Sequence, residues 1–178
     1  MGANLPSQAG TPLQTLQAAL AALQTDDVIL SASSRLYRTP CLPAGAGPDY
    51  VNAAASIVTT RDAQGLMAHL HSVEARFGRA RAQRWGMRTL DLDLLALGDS
   101  VLPDAATQAA WRDLPVEEQS RRTPDRLILP HPRLQDRGFV LIPLADIAPD
   151  WRHPLTGQTV VQMRDALGAA QTAGIAPV

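Results

Sequence analysis

The sequence contains no lysine: all 16 of its basic residues are arginine. A Walker-type phosphate loop depends on its lysine, so that route to phosphate binding is closed. Any phosphate recognition falls to arginine forks and backbone amides. Cysteine is nearly absent as well. Cys41 stands alone, which excludes an intramolecular disulfide and argues against a cysteine-based zinc site, and it reads as a small inert side chain. Aromatic residues are scarce, and a net charge of −1 provides no field to draw in nucleic acid or an anionic membrane. There is no signal-peptide pattern and no apolar run of spanning length, so the default expectation is a cytoplasmic protein.

What is present suits one globular domain over residues 1–178, with 46% hydrophobic and 19% charged residues. Thr11, Pro12 and Gln14 form a helix start, with Thr as N-cap, Pro at the first helical position and Gln closing a capping box. Leu13, Leu16, Leu20 and Leu23 follow at helical spacing. A strand is expected from Val28 towards Tyr37, a Pro/Gly-rich loop over 39–49, and a second strand from Tyr50 to Val58 that puts Tyr50 and Asn52 on one face. Asp62 caps a second helix with an apolar stripe of Leu66, Leu70, Val73 and Phe77, and Gly78 ends it. A strand is expected over 89–97. Residues 98–126 have turn and polar character and read as an insertion, and a helix is expected near 159–167. The order α-β-β-α-β is that of a ferredoxin-like βαββαβ sandwich, an α+β fold, without its opening strand and with a C-terminal extension.

The segment expected to be a strand over 89–97 carries two carboxylates, Asp91 and Asp93, in an otherwise apolar run. On a strand they share one face, roughly 7 Å apart, and at an effective dielectric near 20 they repel by roughly 2 kcal/mol. Leu90, Leu92 and Leu94 take the other face. Two carboxylates at fixed spacing suit Mg²⁺, a hard cation commonly shared with substrate phosphates. A solvated polar face produces the same alternation, with Arg79, Arg81, Arg84 and Arg88 as surface ion-pair partners. The same arginines and acids also meet the needs of a polyphosphate.

The stretch Arg84-Trp85-Gly86-Met87-Arg88 followed by Asp91-Leu92-Asp93 resembles the signature of the 6-hydroxymethyl-7,8-dihydropterin pyrophosphokinase family of folate biosynthesis. Further matches are Gly2 to Leu5, Tyr37 to Pro40, Pro48 to Asn52, Glu74, Gly78-Arg79, Pro130-His131 and Arg137-Gly138-Phe139. The resemblance implies transfer of pyrophosphate from ATP to the hydroxymethyl of a reduced pterin, releasing AMP. It implies two Mg²⁺ ions on Asp91 and Asp93, with Arg79 and Arg88 assisting the transition state. Glu74, Arg81, Arg84, His131 and Arg137 match nucleotide-lining positions. Thr39, Leu42, Tyr50, Asn52, Trp85 and Phe139 match the pterin site. The partners implied are small molecules, with no nucleic acid or membrane, and the protein is expected to be a monomer.

Three positions depart from the family pattern: His71 replaces a glutamine, Met87 replaces a small residue or proline, and the 98–126 connection is longer. Family members also begin with an apolar strand ahead of the Gly2 to Leu5 match, so a longer natural N-terminus is expected. Full activity and cooperative folding of the 178-residue chain alone would contradict that. Two other readings are weighed. One is a silent nucleotide- or pterin-binding module that releases no AMP. The other is an RNA-binding ferredoxin-like domain, for which Tyr50 is the one candidate stacking residue. His69, His71 and His153 show no metal-like grouping.

Overall fold

The computed structural model describes residues 1–41, 45–78 and 89–178. The chain opens with β1 (Gly2–Ala3), α1 (Pro12–Ala22), β2 (Val28–Ser33), β3 (Tyr37–Thr39), β4 (Tyr50–Asn52), β5 (Ala55–Thr59) and α2 (Ala63–Arg76). It continues with α3 (Ala105–Arg112), α4 (Val116–Arg121), α5 (Gly138–Ile147), α6 (Val160–Asp165), α7 (Ala169–Thr172) and β6 (Ala176–Pro177). This is a mixed α/β architecture with antiparallel sheets, compatible with the ferredoxin-like expectation.

Local chemistry sets the helix ends. Thr11 Oγ1 accepts the Gln14 amide while Gln14 Oε1 accepts the Thr11 amide, so two otherwise orphaned donors are satisfied reciprocally. Asp62 accepts the Gly65 amide at 2.7 Å and starts α2, and Gly78 at φ 80° ends it. Thr159 and Gln162 repeat the capping box at α6. The apolar stripes then meet. Leu16 and Ala19 of α1 and its C-cap Leu23 pack with Leu70 and Val73 of α2 against Ala3, Leu90 and Leu92. A second cluster of Leu134, Leu141, Val160 and Met163 joins α5 to α6.

Several expectations need correction. The strand expected from Val28 to Tyr37 is two strands, β2 and β3, and the one from Tyr50 to Val58 is likewise β4 and β5. The sheets have orders β1-β4-β3-β6 and β2-β5, so the segments β2–β3 and β4–β5 run side by side and switch sheet together. At the switch the Ser34 amide donates to Ala54 O at 2.9 Å, and the Ala54 amide donates to Ser34 Oγ at 2.9 Å. A side chain thus replaces a ladder bond there, which alternation of apolar residues does not reveal.

Residues 89–97 form no continuous strand. Asp91 alone pairs, exchanging two backbone bonds of 2.9 and 2.8 Å with Gly2. Beyond it the backbone runs along a largely apolar groove of about 270 Å³ that faces β5. Gly2 and Ala3 form β1, a strand of two residues held between β4 and Asp91.

Residues 98–126 are not turn-like throughout, because Asp104 accepts the Thr107 amide at 2.8 Å and starts α3, with α4 following. Helix α5 escapes a reading by pattern because Arg137 provides no side-chain cap and Pro143 lies inside it. No described helix is long and apolar enough to cross a membrane.

Candidate active site

Leu90 and Leu92 are 0% and 5% exposed, so the alternating Asp91 and Asp93 side chains turn the other way. Three contacts fix this segment. Gly2 brackets Asp91 through backbone bonds. The Leu92 amide, between the two acids, donates to Glu74 Oε1 at 2.7 Å. The His131 amide donates to Leu95 O at 2.8 Å and docks the turn after Pro130 onto the same backbone. Glu74 is 1% exposed, and its Oε1 is the acceptor that holds this backbone. Nearby, the Met1 ammonium donates to Ala53 O at 2.9 Å. Burial lowers its pKa, opposed by the attraction of Asp93, Asp91 and Glu74.

His131 Nδ1 accepts the Arg133 amide at 3.1 Å, which leaves the proton of the neutral ring on Nε2, ready to donate. Burial is the main cause that lowers its pKa to about 4; Asp93 opposes the shift, while Arg137 and Arg133 add to it. The guanidinium of Arg137, its own pKa lowered first by burial and then by Arg133, feels Asp93, Asp136 and Asp91. Asp91, Asp93, His131 and Arg137 thus converge from two chain segments.

A pH dependence follows. The unfolded imidazole, near 6.5, takes up a proton before the folded one, at about 4. The stabilisation from neutral His131 is complete above pH 6.5 and is lost as pH falls to about 4, by up to roughly 3 kcal/mol. Urea titrations of the metal-free protein across that range are expected to show the loss. His131→Gln, which still offers an acceptor to Arg133, is expected to flatten it. An identical pH slope in the variant contradicts the assignment.

Thr39, Tyr50 and Asn52 also meet. Thr39 is opposite Tyr50, and Tyr37 is opposite Asn52 in the β3–β4 ladder, so all four side chains share one face. Asn52 Nδ2 donates to Thr39 Oγ1 at 3.0 Å. Asn52 Oδ1 lies so close over Gly2 that a Cβ there has no room. The face is turned towards α5, because Tyr37 donates its hydroxyl to Asp146 Oδ2 at 2.8 Å and Arg35 adds bonds of 3.1 and 2.8 Å to the same carboxylate. Phe139 precedes Asp146 by two helical turns and so takes the same side of α5, at its opposite end. It is 37% exposed, and the Arg137 guanidinium lies 5.7 Å from its ring centroid. Arg137 therefore links the acidic half of the site to the aromatic half.

Leu42, Arg79, Arg81, Arg84, Trp85, Met87 and Arg88 lie outside the described residues. Sequence reasoning missed the role of Glu74 as a backbone clamp. The signal available was a carboxylate one position after Val73 of the buried stripe. Of the other histidines, His69 sits in the core with Nε2 2.8 Å from Leu23 O, and His153 accepts the Leu155 and Thr156 amides at Nδ1. Among the described residues no group of three or more His, Cys, Asp or Glu is placed to hold a metal ion. The donors offered at this site are the two carboxylates, a set that fits Mg²⁺ when phosphate oxygens complete its coordination.

Known proteins resemble the chain over most of its length. The family model described as 7,8-dihydro-6-hydroxymethylpterin-pyrophosphokinase matches residues 1–149. A 2-amino-4-hydroxy-6-hydroxymethyldihydropteridine pyrophosphokinase of Synechocystis sp. is 34% identical over 169 residues, covering 94% of this chain and 76% of the relative. The protein of the same name from Pseudomonas aeruginosa is 38% identical over 151 residues, covering 84% and 81%. That from Haemophilus influenzae is 35% identical over 147 residues, covering 82% and 79%.

Proposed function

The chain belongs to the 7,8-dihydro-6-hydroxymethylpterin-pyrophosphokinase family, and we propose that the cleft built around Asp91, Asp93 and Arg137 moves pyrophosphate from ATP to the hydroxymethyl of the reduced pterin. The protein is a transferase of folate biosynthesis, a diphosphokinase, with ATP as co-substrate. In this reading the pterin hydroxyl oxygen bonds to the β-phosphorus of ATP and releases its proton to water, the bond from that phosphorus to the α,β-bridging oxygen breaks, and AMP leaves with that oxygen. Phosphoryl transfer asks chiefly for alignment and for neutralised charge.

Asp91 and Asp93 would hold Mg²⁺, which when bound supplies positive charge to the triphosphate oxygens. His131 Nε2–H and the Arg137 guanidinium are the donors beside the acids, and both suit nucleotide oxygens. Tyr50 and Phe139 offer rings to a flat heterocycle, while Asn52 and Thr39, joined by their own hydrogen bond, present a polar edge. By the family resemblance Arg79 and Arg88 assist the transition state, Arg81 and Arg84 line the nucleotide, and Leu42 and Trp85 complete the pterin site. Of the finer fold reading, a ferredoxin-like sheet with one more strand, support comes from the groove between β5 and residues 92–98, which has apolar walls on both sides.

The observation that carries the proposal is the link from Asp93 through Arg137 to Phe139, which joins a phosphate-type half to a ring-binding half. Incubation with ATP, Mg²⁺ and the hydroxymethyl pterin tests it. AMP and pterin pyrophosphate are expected in equal amounts. Nucleotide binding without AMP favours the silent module instead.

A further inference from the structure

The last residues of the chain lie beyond the stretch matched by the family model, residues 1–149, yet they touch both walls of the proposed pterin site. Strand β6 pairs antiparallel with β3, Ala176 opposite Arg38 and Pro177 opposite Tyr37, and the Val178 amide donates to Leu36 O at 3.0 Å. Just before it, Gly174 at φ +72° packs against Pro40, the neighbour of Thr39, so that a Cβ there would stand 2.6 Å from Pro40 Cγ. At the other end of the tail the Gln171 carbonyl lies directly on Gly138, between Arg137 and Phe139, leaving no space for a Cβ. Ile175 Cδ1 is 3.3 Å from that same position.

Both places need such a support. Strand β3 has three residues, and β6 is its neighbour on the side away from β4. The first turn of α5 has no side-chain cap, and Pro143 withholds the amide that would otherwise bond Phe139 O. The bonds of Asp146 to Tyr37 and Arg35 hold the far end of α5 against β3, whereas the first turn, which carries Phe139, meets the tail at Gly138. The tail bridges the interval from that turn to β3.

We propose that residues 168–178 are a strap that sets the distance between the Thr39–Tyr50–Asn52 face and Phe139, and thereby positions the pterin ring; the substrate part of this inference rests on the function proposed above. The strap residues touch no reacting atom. They act through β3 and α5, so their loss weakens pterin binding selectively.

The test compares the intact chain with Gly174→Val, which forces a β-branched side chain into a left-handed position against Pro40, and with a chain lacking residues 169–178. Hydrogen exchange at the Val140 and Leu141 amides, both bonded to Arg137 O, reads the strap without any substrate. Exchange there is expected to quicken about tenfold or more. In steady-state assays KM for the pterin is expected to rise about tenfold, with KM for ATP and kcat within about twofold. Should the shortened chain fail to fold, Gly174→Val alone carries both measurements. Unchanged exchange at Val140 and Leu141 overturns the strap. Quickened exchange with an unchanged pterin KM overturns its part in substrate positioning. An intact chain that transfers nothing overturns the proposed function instead, and the strap is then judged by exchange alone.

Discussion

Asp93→Asn is expected to lower kcat/KM for pyrophosphate transfer by about 10³-fold at saturating Mg²⁺, and Asp91→Asn by a similar factor. Removing one charge-stabilising group from a preorganised site typically costs on the order of 10²–10³, and a cation shared with the triphosphate serves binding as well as the transition state. The amide has the shape of the acid, and the segment is held by groups other than these carboxylates: the Gly2 backbone at Asp91 and Glu74 at Leu92. Activity is therefore expected to collapse while the melting temperature of the metal-free protein holds. Assay and thermal melt on the same preparation separate the two effects. A variant that loses activity only by unfolding contradicts the assignment.

Glu74→Leu is expected to have the second largest effect. The substitution strands the buried Leu92 amide now bonded at 2.7 Å, at a cost of about 1–3 kcal/mol. It also frees the backbone between the two acids, and misplacement of that order is expected to cost about 10² in kcat/KM. Glu74→Gln keeps an acceptor and should retain most of both. Urea unfolding and kinetics with each substrate varied distinguish a clamp from a nucleotide contact. Stability unchanged in Glu74→Leu, with KM for ATP raised in both variants, would return Glu74 to the nucleotide surface.

Much of this site was legible in the residues themselves. The Asp91–Asp93 spacing between buried leucines and the shared face of Tyr50 and Asn52 follow from the two-residue period of extended chain. The capping box at Thr11 follows from hydrogen bonds closed within four residues. What local pattern cannot carry is partnership. The break at Ser34 and Ala54 depends on a hydroxyl replacing a ladder bond across two segments. Residues 92–97 are an apolar run that suits a strand, but a ladder needs a neighbouring backbone that their own side chains do not specify. Glu74 matched a nucleotide-lining position by family resemblance, and only the fold brings Leu92 N–H to its carboxylate. Helix α5, with a proline inside and no cap, depends on the tail and on Asp146 for its place.

The account stands on a cation held jointly by Asp91, Asp93 and the triphosphate. Electron paramagnetic resonance of Mn²⁺, titrated with the protein and a non-hydrolysable ATP analogue, reads that arrangement directly. For the intact chain, bound Mn²⁺ is expected with nucleotide present, and the Asp91→Asn/Asp93→Asn double variant is expected to bind it at least about tenfold more weakly. Equal Mn²⁺ affinity and an unchanged spectrum in the double variant would contradict the account.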